Sequence, residues 1–87
     1  MRKLSYHQEL MLRASGFDDR DGCGFGVNLS TAAHWRTARS LVSRGLGWIQ
    51  NGHAQGSAFP GLFFSSQAGA EIAYPDKAER WNARRGR

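Results

Sequence analysis

Apolar residues recur along this chain at two different spacings. Over residues 4–15 the spacing is helical: Tyr6, Leu10 and Ala14 are four apart, Met11 joins their side, and Gln8, Glu9 and Arg13 fall on the other. Ser5 with Gln8 three residues on is a capping-box pair, and Gly16 is a stop. The pattern predicts a first helix whose apolar side carries Tyr6, Leu10 and Ala14. Residues 30–44 make a stronger helix. Ser30 or Thr31 supplies its N-cap, Gly45 its stop, and Arg44 lies in the last turn, where the helix dipole favours a cation. At about 100° per residue, Thr31, His34, Trp35, Ala38, Leu41 and Val42 share an apolar arc of roughly 120°. Ala32, Arg36, Thr37, Arg39, Ser40 and Ser43 occupy the rest of the wheel.

Past Gly45 the apolar runs shorten. Residues 46–50 and 62–66 read as two strands, joined by the Asn51-Gly52 turn signal and a polar stretch of small residues. Trp48 and Phe64 then lie on neighbouring antiparallel strands. A short helix over residues 66–73 follows, capped by Ser65 or Ser66 and ended or kinked by Pro75. Beyond it a basic segment extends as helix to about Trp81 and then frays. Residues 16–28 hold four glycines and three aspartates, which argues against helix, with a short strand toward residues 24–29. Trp35, Trp48, Leu41 and Leu10, with Phe63 or Phe64, form the expected core; Trp81 either docks the C-terminal segment or marks a partner surface.

Eighty-seven residues allow one domain, expected over residues 1–75, with 76–87 as a basic, partly disordered C-terminal segment. A chain this size buries about 60–65% of its unfolded surface, so its core is small. The 40% hydrophobic content suits a soluble globular domain. No apolar run is long enough for a membrane span and no signal-peptide core is present, so no membrane partner is expected. A single cysteine, Cys23, excludes an intramolecular disulfide and fits a reducing cytoplasm.

The net charge of +5 is unevenly placed. Residues 1–29 are neutral overall; residues 30–70 hold three arginines, Arg36, Arg39 and Arg44, and no acid; residues 71–87 hold five bases against three acids. An acid-free stretch built around one amphipathic helix avoids repelling a polyanion, and double-stranded DNA is the partner it suits. Catalytic and metal chemistry find little support. His7, His34, His53 and Cys23 show no metal-ligand spacing, and no nucleophile signature surrounds Cys23. Asp19, Asp21 and Gly22 faintly suggest a calcium loop, but the acid required at its twelfth position is Ser30. Gly22, Gly24 and Gly26 lack the Gly-Lys-Ser/Thr of a phosphate loop. Neither an enzyme, a metal nor a cofactor is expected.

The order of elements is helix, irregular segment, helix, strand, loop, strand, helix. Leu41, Gly45 and Leu46, followed by Phe64, Ser65 and Gly69, carry a resemblance to the winged helix-turn-helix family and its MarR-like pattern. There a recognition helix ends in Leu-x-x-x-Gly-Leu, a β-hairpin wing follows, and Leu-Thr-x-x-Gly opens the next helix; here Phe-Ser stands for Leu-Thr. The resemblance covers residues 30–73. Segment 16–28 stands where the family has a supporting helix, and the long terminal helices of MarR-type dimers are missing, so a homodimer would use another route, around Trp81. The resemblance implies an α+β domain, helices packed with a two- or three-stranded antiparallel wing. It implies that residues 31–44 lie in the major groove, with Thr31, Arg36, Thr37, Arg39, Ser40, Ser43 and Arg44 at base edges or phosphates. Asn51, His53 and Gln55 would be wing contacts, and Arg84 and Arg85 would add salt-sensitive attraction. The implied function is a repressor-like transcriptional regulator, of a compactness that suits a phage gene. The alternative is a winged-helix interaction module, such as a phage-type inhibitor or a subunit bound to a host protein or nucleoprotein complex.

Overall fold

Side-chain caps set where the helices begin. Ser5 Oγ accepts from the Gln8 N–H at 3.2 Å while Gln8 Oε1 accepts from the Ser5 N–H at 2.8 Å, closing the capping box of α1 (Tyr6–Ser15). Thr31, not Ser30, caps α2 (Ala32–Ser43), its Oγ1 accepting from the His34 N–H at 3.1 Å. Ser66, not Ser65, caps α3 (Gln67–Ala73). Gly45, at φ 76°, ends α2: its own N–H reaches Val42 O and the Leu46 N–H reaches Leu41 O, a paired closure that needs a left-handed residue. The structure, a computed structural model, describes residues 3–51 and 61–85, and completes with β1 (Val27–Asn28), β2 (Gly47–Asn51), β3 (Gly61–Ser65) and α4 (Pro75–Arg85). The described residues form an α+β domain of four helices and a three-stranded antiparallel sheet in the order β1-β3-β2. No helix among the described residues is long and apolar enough to cross a membrane.

Strand parity decides which aromatic enters the core. β3 is central, and its Gly61, Phe63 and Ser65 are buried while Leu62 and Phe64 are half-buried on the opposite face. In register, Ile49 lies across from Phe63 and Trp48 from Phe64. Trp48 therefore leaves the core: it is 43% exposed and stacks on Phe64 with ring centroids 5.3 Å apart. Met11, Leu12, Leu29, Ala38, Leu41, Leu46 and Phe63 make the main core, with Trp35 packed at its edge.

Both helical faces differ from the expected ones. α1 buries Met11, Leu12 and Ser15, while Tyr6, Leu10 and Ala14 are exposed. The cause is that α1 packs against α2 and α3 at once, so its buried face centres on the Met11–Leu12 side. In α2, Ala38 and Leu41 are buried as expected, but His34 and Val42 are exposed and Thr37 and Ser40 are half-buried. There Gln8 Nε2 donates to Ser40 Oγ at 2.9 Å and Arg44 Nη1 donates to Gln8 Oε1 at 3.2 Å, which turns that flank of α2 toward α1.

Segment 16–28 folds without helix. Asp18 and Cys23 close a loop through Asp18 N–H to Cys23 O at 2.7 Å and Gly22 N–H to Asp18 O at 2.8 Å. Asp18 also accepts from Arg20, and these hydrogen bonds hold its carboxyl below the usual carboxylate range. The returning chain is fixed by Gly24 N–H to Ser65 O and Phe25 N–H to Ser15 O, and then enters β1. Pro75 both follows α3 and opens α4, the first helical position its fixed φ favours. α4 runs to Arg85, past the Trp81 at which the pattern placed fraying. Its Ala78 and Trp81 pack with Phe17, Ala70 and Tyr74 in a second, smaller cluster.

Candidate nucleic-acid interface

Among the exposed residues of α2, four form one continuous stripe. Ala32, Arg36, Arg39 and Ser43 are all exposed, and at about 100° per residue they fall within roughly 60° of one another. The Arg39 guanidinium lies 5.5 Å from the centre of the Trp35 ring, a cation–π contact one helical turn apart. Trp35 is itself seated: its ring occupies the space a side chain at Gly61 would need. Ala32, Trp35, Arg36 and Arg39 line a shallow recess of about 520 Å³. Among the described residues neither arginine has a carboxylate partner, the ion pair present being Arg20–Asp18.

The remaining expected contacts divide. Ser43 stays exposed, its hydroxyl donating to Ser40 O at 2.9 Å. Thr31 is exposed, but its hydroxyl caps α2. Thr37, Ser40 and Arg44 turn toward α1: Ser40 Oγ donates to Thr37 O at 2.7 Å and accepts from Gln8, and Arg44 donates to Gln8. Asn51 ends β2. Its side chain, like His53, Gln55 and the hairpin loop, lies outside the described residues. Arg84 is exposed on α4 and shares a helical edge with Lys77 and Arg80, both exposed. The side chain of Arg85 lies outside the described residues. The prop under Arg39 had a signal in the sequence: Trp35 and Arg39 are four apart. Lys77 and Arg80 were legible in the same way, seven and four residues before Arg84.

Titratable groups elsewhere do not gather. Among the described residues no three or more of His, Cys, Asp and Glu stand together as a metal set. Cys23 is half-buried, and its thiol is pushed up by burial and then by the nearby charge of Asp21. Since the thiolate is the nucleophile, Cys23 is expected to react with iodoacetamide at pH 8 more slowly than a cysteine in a short peptide, with the rate still climbing as pH rises further. Equal or faster alkylation would contradict that placement.

Comparison with protein-family models, with curated proteins and with solved structures finds no match for this chain. What α2 presents to solvent is then the guide to function.

Proposed function

We propose that this chain is a small duplex-DNA-binding domain of the winged helix-turn-helix kind, a repressor-like transcriptional regulator that lays α2 in the major groove. The observation that carries this is the exposed Arg36–Arg39 stripe, free of acids along its whole length. A helix fits a groove about 12 Å wide, and arginine reads guanine O6 and N7 through two parallel hydrogen bonds. The Trp35 ring limits the rotamers open to Arg39, so less side-chain freedom is lost when it meets a base. Ala32 offers a methyl to thymine and Ser43 a hydroxyl to phosphate. The hairpin β2–β3 directly after α2, with β1 on the far side of β3, is the arrangement a wing requires. Between α1 and α2 the described residues hold β1 and no helix, so α1 itself packs across α2 in this reading.

The test is a salt titration on duplexes selected from a random library. Binding through four or so phosphates gives log K falling with log salt at a slope of about −3 to −4. Arg39→Ala is expected to cost about 1–3 kcal/mol at the selected site and to relax base preference there. Lys77→Ala is expected to weaken all sequences alike and flatten the slope by about 1. Absence of duplex binding at about 50 mM salt, where phosphate contacts are strongest, would sink the proposal.

A further inference from the structure

The apolar side of α1 that fails to enter the core forms, with α2, an open groove of about 720 Å³. Leu10, Met11, Ala14, Val27 and Ala33 are its apolar lining. Tyr6, on the same helix, is 70% exposed and Leu10 42% exposed, so among the described residues this apolar surface has no cover. The polar rim carries His7, His34 and Arg36, and no carboxylate lines the groove among the described residues. The walls are held in place: Gln8 bonds both Ser40 and Arg44 across the α1–α2 contact. The groove is thus preformed and does not depend on an occupant to open it.

We propose that this groove receives a helical segment of a partner protein, apolar along one face and acidic along its flank. Two packed helices with an apolar cleft between them are the receptor half of helix-in-groove recognition, in which anchors at i, i+3, i+4 and i+7 enter the cleft. α1 is 10 residues long, so a ligand helix of about three turns spans it. Charge selects the flank: the Arg36 guanidinium, with no carboxylate among the described lining residues, attracts Asp and Glu and disfavours Lys and Arg. The same feature argues against a second copy of the chain, because a two-fold contact through this face supplies Arg36 with no carboxylate from the described lining.

Selection of a displayed library of 16-residue helical peptides against the full chain tests this. Enriched peptides are expected to place Leu, Ile or Phe on one face and Asp or Glu beside it. Leu10→Glu is expected to lower their affinity about tenfold or more. Leu10→Ala gives a smaller loss, and because Leu10 is surface-exposed both variants are expected to keep the parent's helical circular dichroism. Arg36→Glu is expected to weaken the acidic peptides and to improve copies whose acids are exchanged for lysine. Lys77→Glu, on α4, and Arg39→Ala are expected to leave binding unchanged, so the proposal stands or falls separately from DNA recognition. Failure to enrich any amphipathic helix, enrichment of basic peptides, or affinity indifferent to Leu10→Glu overturns it. So does a free chain that sediments as a dimer and becomes a monomer on Leu10→Glu, which would give the face to self-association.

Discussion

Phe63→Ala is expected to remove about 3–5 kcal/mol of stability, most of what a domain of this length possesses, since such chains total on the order of 5–10 kcal/mol. Phe63 is the largest fully buried side chain and sits at the middle of the central strand, opposite Ile49 on β2 and Val27 on β1. It belongs to the same cluster as Leu12 of α1 and Leu41 of α2, so its ring is what the sheet and both helices share. Gly47 leaves the space the ring fills, where a Cβ would overlap its edge. Loss of the ring leaves a cavity in the close-packed cluster that joins the sheet to α1 and α2. Urea unfolding followed by circular dichroism measures the effect. A loss below about 1 kcal/mol would show that the core is centred elsewhere. Phe63→Leu, which keeps most of the volume, is expected to cost less than about 1.5 kcal/mol.

The second large effect comes from adding a single carbon. Gly24 lies against the hydroxyls of Ser15 and Ser65, both fully buried, and a Cβ there would collide with each. These atoms cannot step aside freely. Ser15 Oγ donates to Phe25 O at 2.7 Å and accepts from the Ser65 N–H at 3.0 Å, while the Gly24 N–H is itself bonded to Ser65 O at 2.9 Å. Gly24→Ala is therefore expected to destabilise by about 3 kcal/mol. The hydroxyl of Ser65 is buried without a hydrogen-bond partner, so Ser65→Ala by itself is expected to be neutral or stabilising. Combined with Gly24→Ala it should restore part of the loss, since one of the two colliding oxygens is gone. Additive effects in the double variant, measured by the same unfolding experiment, would show that Gly24 and Ser65 do not compete for space.

Local chemistry was legible in the sequence and relative orientation was not. The capping box at Ser5, the left-handed stop at Gly45 and the hairpin between Gly47 and Ser65 depend on residues close together in the chain. The face each helix buries depends on neighbours far away. Ser40 looked solvent-facing on a wheel because its partner Gln8 lies 32 residues earlier. Leu10 has the apolarity of a core residue, but α1 touches α2 and α3 together and that pairing leaves Leu10 outside. Trp48 was placed inside by size, whereas the parity set by Phe63 places it outside. Ser15 gave no signal at all: a small polar residue late in a helix becomes a buried hydrogen-bonding node only when the loop at Gly24 arrives. For the candidate interface, the missing acids singled out Arg36 and Arg39, and these are the two the stripe presents. Thr37, Ser40 and Arg44 share the helix but turn to its other flank, and only tertiary packing separates the two sets.

The bonds that fasten α1 reach far along the chain: Ser15 to Ser65 over 50 positions, and the Tyr74 hydroxyl to Arg13 O over 61. α2, β2 and β3 by contrast pair with near neighbours, and contacts of short sequence separation form fastest. On a ribosome adding roughly 5–20 residues each second, α1 emerges some 3–12 s before the residues that will hold it. Through that interval Met11 and Leu12 have no packing partner from the second half of the chain, and α1 by itself is too short to persist as a helix in water. The first helix in the sequence is thus fully secured only after α2 and the sheet have formed. Full closure over α1 waits until α3 and Tyr74 are free to pack against it.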